Sequence, residues 1–155
     1  MSEADEQDDI QRWHKRFAVD CNNRAWALSV QTRSAAEDRE MLDAAHASAW
    51  HWAQIGSELN RMRAMMLVAE VHASLGMGAS ALALAESTRT YFLGRDTPDW
   101  EIACTHAVYA HAAHAAGRAA EHRDAHALAS AALAAIADEE DRKVIAQTFD
   151  RVPRP

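Results

Sequence analysis

The sequence predicts an all-α protein of about seven helices, paired as antiparallel hairpins with short connections. Three observations predict it. Thirty-six of the 155 residues are alanine, the strongest helix former, against seven valines and five isoleucines. Only five glycines and three prolines interrupt the chain, and they fall where periodic apolar segments end. The apolar residues themselves recur at three- and four-residue steps, the spacing of one helix face.

A first helix is expected from about Asp5 to Gln31, with acidic residues at the positive end of its dipole. Ile10, Trp13, Phe17, Cys21, Ala25 and Leu28 form its apolar stripe, and Asn22-Asn23 is a place where it could bend or break. Ser34 and Glu37 have capping-box spacing and open a second helix that Gly56 stops after Ile55. Ser57 caps a third, which reaches Leu75 before a turn at Gly76 and Gly78. A fourth covers about Ala79 to Phe92, and the loop LGRDTP follows, its Thr97-Pro98 starting a fifth helix that runs to Ala116. Gly117 breaks the chain before a sixth, about Ala119 to Ala137, and the acidic DEED at 138–141 opens a short seventh. Helices joined by such short links pack as antiparallel neighbours. The expected organisation is a single domain over 1–155, with 1–8 and 150–155 frayed.

The helix, glycine turn, helix pattern occurs around Gly76 and again around Gly117. In MRAMMLVAEVHASLGMGASALALAE, the small Ala69, the turn at Gly76 and Ala81 fall where tetratricopeptide repeats place small residues, and the chain resembles that class. Ala85 stands where the pattern has a bulky residue and His122 where it has an alanine. The segments FAVDCNNRAWAL, HASAWHW, IGSELNRMR, DWEIACTHAVYAHAAHAAG and IADEEDR resemble a group of small, uncharacterised bacterial helical-repeat proteins. These resemblances imply a short right-handed solenoid. The second implies that His46, His51, Trp52, Asn60 and Arg63, joined by Asn23 and Trp26, belong to a shared motif.

Composition excludes several functions. A net charge of −7, with sixteen basic residues and no dense basic cluster, argues against nucleic acid, whose phosphates require a basic face. No run approaches the roughly 20 apolar residues of a membrane span. The acidic start MSEADEQDD is unlike a secretory leader, and two cysteines far apart are no disulfide framework, so a cytoplasmic protein is expected.

The chemistry-bearing stretch is HASAWHWAQIG at 46–56. His46 and His51 lie about 140° apart on a helix, so they face different neighbours. With His14, Asn23, Trp26, Trp52, Asn60 and Arg63 they would line a pocket between the first three helices. There Arg63 would anchor a small anion by its planar fork, and His46 or His51 would act as base. The other reading makes these histidines hydrogen-bonded core residues and the tryptophans plain core. Nine histidines invite a metal test. His122 and His126, or His111 and His114, share helix faces, but neither pair stands in a Glu-x-x-His arrangement, so no metal site and no cofactor are expected. No GxSxG elbow or phosphate cradle is present. Three readings remain: an interaction module for a protein or peptide, with a homodimer among its forms; a small-molecule binder or small enzyme acting on an anion; and a structural subunit whose exposed alanine-rich faces only mediate self-association. The sequence leaves open whether a reaction occurs.

Overall fold

A computed structural model describes residues 2–155 and contains seven helices: α1 (Glu3–Ser29), α2 (Ala35–Ile55), α3 (Glu58–Ser74), α4 (Gly78–Leu93), α5 (Asp99–Ala115), α6 (Ala119–Ala134) and α7 (Glu139–Phe149). The described residues hold no strand. No helix among them is long and apolar enough to cross a membrane. The chain divides into two compact units, one ending at Val68 and the other running from Ala69 to Pro155, so the division falls inside α3.

Local sequence signals set the helix starts. Ser2 and Asp5 form a capping box on α1, Ser34 and Glu37 form one on α2, and Asp138 caps α7 through the Asp141 amide. Asn22-Asn23 does not end α1; both residues lie within its continuous helix. The α1 C-terminus is closed by Arg33, whose guanidinium donates to the carbonyls of Leu28, Ser29 and Gln31 and bonds Asp38 at 2.7 Å. Gly76 and Gly117 both take φ +73°, the left-handed conformation that glycine adopts without a Cβ penalty. Each is followed by the same six-residue closing bond, Met77 N–H to His72 O and Arg118 N–H to Ala113 O, both 2.8 Å. The two glycine turns seen in the sequence are thus the same physical device.

In the first unit α1 and α2 pack as an antiparallel hairpin around Ala18, Ala25, Leu28, Met41 and Ala45, all fully buried. Ser48, equally buried, donates to the Ala18 carbonyl at 2.8 Å. In the second unit α5 is the central helix, packed on α4, α6 and α7. From Ala103 to Ala113 every residue of α5 is buried, as expected of a helix covered on all sides. Small residues permit this: a β-carbon at Gly78 would sit 2.2 Å from the Ala115 carbonyl oxygen, so the start of α4 touches α5 backbone directly. Asp99 fixes the other end of α5 by accepting from the Ala137 amide at 2.9 Å.

Candidate functional site: an aromatic and histidine face on the first hairpin

The hairpin register places His14 opposite His51, Ala18 opposite Ser48 and Arg24 opposite Glu40. Continued outward, that register brings Ile55, the last residue of α2, level with Ile10. The apolar stripe of α1 nonetheless has two halves. Ala25 and Leu28 are sealed, whereas Ile10, Trp13 and Phe17 are 43%, 55% and 44% exposed.

The rings at the open end form a connected set. Trp13 stacks on Phe17 with centroids 5.6 Å apart, and Phe17 lies 5.5 Å from His51. His51 meets Trp50 at 5.0 Å, and His14 meets Trp50 at 5.5 Å. Trp50 is 58% exposed, so it is no core residue. The Nδ1 atoms of His14 and His51 are 2.9 Å apart. One ring must donate and the other accept, so the two Nδ1 atoms share a single proton. Burial, then the neighbouring His14, hold His51 below the ordinary imidazole value of 6.5. Arg16 sits 5.9 Å from the Trp13 ring and adds a cation to the edge of the face.

Of the residues singled out in the sequence, His14 and His51 are in direct contact. Trp52 and Asn60 converge on Gly56, where a β-carbon would come within 3.1 Å of the Trp52 ring and 3.0 Å of the Asn60 β-carbon. Asn60 also closes the α3 N-terminus, its Oδ1 accepting from the Ser57 amide and hydroxyl. Asn23 is exposed on α1 and accepts from Asn22 at 3.4 Å. Trp26 is half-buried, its carbonyl accepting from Ser29. His46 is exposed on α2, and Arg63 is half-buried on α3.

A second polar cluster, in the other unit, escaped the sequence reading. Glu70 is 1% exposed; its Oε1 accepts from His111 Nδ1 at 2.8 Å and from Ser74 at 3.3 Å, while Oε2 is buried without a partner. Burial, then Glu70 and Glu101, push the Cys104 thiol far above its usual range, which removes it as a nucleophile. A signal existed in the sequence: Glu70 is the only carboxylate in the run AMMLVAEVHASL. His111, considered with His114 as a metal pair, instead bonds a residue 41 positions earlier. His122 donates to the Pro153 carbonyl at 2.7 Å, and the His126 ring lies 4.7 Å from Phe149. Val152 is buried beside this contact, so the C-terminal residues are tied down. Among the described residues no three His, Cys, Asp or Glu side chains assemble as a metal-holding group.

The chemistry available on the first hairpin is that of a surface. It offers broad apolar rings, a hydrogen-bonded imidazole pair and a flanking cation. Comparison of the chain with protein-family models, with curated proteins and with solved structures finds no match to any of them.

Proposed function

We propose that the chain is a tetratricopeptide-like helical interaction module of the bacterial cytoplasm, which captures a protein or peptide partner on the open end of the α1/α2 hairpin. One observation carries this reading. Ile10, Trp13, Phe17 and Trp50 are each 43–58% exposed and belong to one face, whose rings are linked through His14 and His51. Scattered exposed apolar residues are ordinary, but a contiguous group of large ones marks an interaction site. Tryptophan is also the side chain most enriched among residues that dominate binding energy.

The test places a photo-crosslinking amino acid at Trp13 or Trp50 in cells that produce the protein. A discrete adduct shared by both positions, and missing when the label replaces the equally exposed Leu128, supports the module. An adduct with a second copy of the chain identifies the partner as itself and the face as a homodimer interface. No adduct at either position, or the same adducts from Leu128, overturns the reading.

A further inference from the structure

The second unit carries a groove that the interaction face does not explain. Ala81, Leu82, Ala85, Thr88 and Phe92 turn the buried face of α4 inward. Glu86, Arg89, Thr90 and Leu93, at steps of three, four and seven, share a different face of the same helix. Together with Tyr109 of α5 they line a groove of about 520 Å³, inside the range of about 300–1,000 Å³ typical of small-molecule sites.

Two features of that groove point to a ligand. The Arg89 guanidinium lies 4.3 Å from the centroid of the Tyr109 ring, which holds it by cation–π attraction. Arg89 has no carboxylate within ion-pair distance among the described residues, including Glu86 one turn away. An oriented guanidinium fork without an acid is a carboxylate receptor. Leu93, in turn, is 42% exposed beside the Tyr109 ring and gives the groove an apolar wall.

From these features we infer that the α4/α5 groove binds a free α-amino acid with an apolar side chain. The carboxylate sits on the Arg89 fork. The ammonium sits toward Glu86, which is separated from Arg89 by about 4.5 Å of helix rise. Thr90 assists there: its hydroxyl donates to the Glu86 carbonyl at 3.0 Å and keeps its lone pairs for an incoming N–H. The side chain lies along Leu93 and Tyr109. A cation and an anion one turn apart and not paired with each other match a zwitterion better than a simple anion, which Glu86 would repel.

The experiment titrates L-leucine into the full chain by isothermal calorimetry, with two comparators. These are 4-methylpentanoate, which lacks the amine, and 3-methylbutylamine, which lacks the carboxylate. The expected result is saturable binding of L-leucine, with each comparator about tenfold weaker or more, the scale of one lost charge-assisted contact. Arg89→Gln and Glu86→Gln should each weaken L-leucine by a similar factor while the far-ultraviolet circular dichroism is unchanged. No saturable binding of L-leucine overturns the proposal. So does equal binding of 4-methylpentanoate, or binding that survives both substitutions.

Discussion

The α1/α2 face and the α5 centre of the second unit distribute their side chains in opposite ways. On the first hairpin, large aromatic rings stand in water: Trp13 and Trp50 are more than half exposed. Around α5 the interior is mostly alanine, yet it encloses Glu70, Glu101, His106 and His111, each no more than 8% exposed. Size explains the contrast better than hydrophobicity. Small residues let helix backbones approach closely, as at Gly78, where an added β-carbon would lie only 2.2 Å from the Ala115 carbonyl oxygen, and such an interface has no room for indoles. The polar groups that remain inside must then find partners, because an unpaired buried charge is far more costly than an exposed ring.

The largest expected effect breaks this contrast at its buried side. His111→Ala leaves the Glu70 carboxylate with Ser74 as its remaining hydrogen-bond donor, and removing the partner of a buried charge costs about 3–5 kcal/mol. Replacing both residues by leucine should recover most of that loss, since no charge is then left behind. Trp50→Ser, by contrast, should change stability by no more than about 0.5 kcal/mol, as surface substitutions do. Urea denaturation of the variants measures both, and equal losses for His111→Ala and Trp50→Ser would abolish the distinction.

A smaller effect sharpens the comparison within the first hairpin. Ser48 lies three residues from His51 but is fully buried, bonded to the Ala18 carbonyl. The dry floor therefore begins less than one turn beneath the wet rings. Ser48→Ala should cost about 1 kcal/mol, the net worth of one buried hydrogen bond, while Trp13→Ser should leave the midpoint unchanged. A Ser48→Ala variant as stable as the parent would mean that the hairpin is not dry at Ser48.

Much of this fold was legible because its signals are local. The Ser34–Glu37 capping box, the Gly56 stop and the turns at Gly76 and Gly117 depend on residues a few positions apart, and the structure shows each of them. The stripe from Ile10 to Leu28 was legible as one face of a helix. That its first half would be open was not, because exposure depends on which other elements cover a helix face, a matter of tertiary packing. The same limit applied to the histidines. Spacing paired His111 with His114 on one helix, whereas the actual partner, Glu70, is reached only after α3 and α5 come together. His14 and His51 were both marked as site residues, but nothing in the sequence brought their Nδ1 atoms to 2.9 Å.

That imidazole contact gives the smallest prediction and the one that separates the two regions by pH. The His14–His51 bond persists while at most one ring is charged; with both protonated, neither Nδ1 can accept. The folded state holds His51 below 6.5, so near pH 6 the unfolded chain binds more protons than the folded one. Stability conferred by the pair is then fully present above about pH 6.5 and declines as pH falls through the folded value. His114 and His126 are also held below their ordinary value, chiefly by burial, so the whole protein loses stability in the same direction. The difference between parent and His51→Gln isolates the pair, because glutamine keeps a hydrogen-bonding group and removes the titration. Between pH 8 and 5, the parent midpoint in urea should fall more steeply than that of His51→Gln, with tryptophan emission from Trp50 changing over the same interval. Parallel pH profiles would show that the two rings do not titrate as a pair. The open face would then respond to acid no differently from the histidines of the second unit.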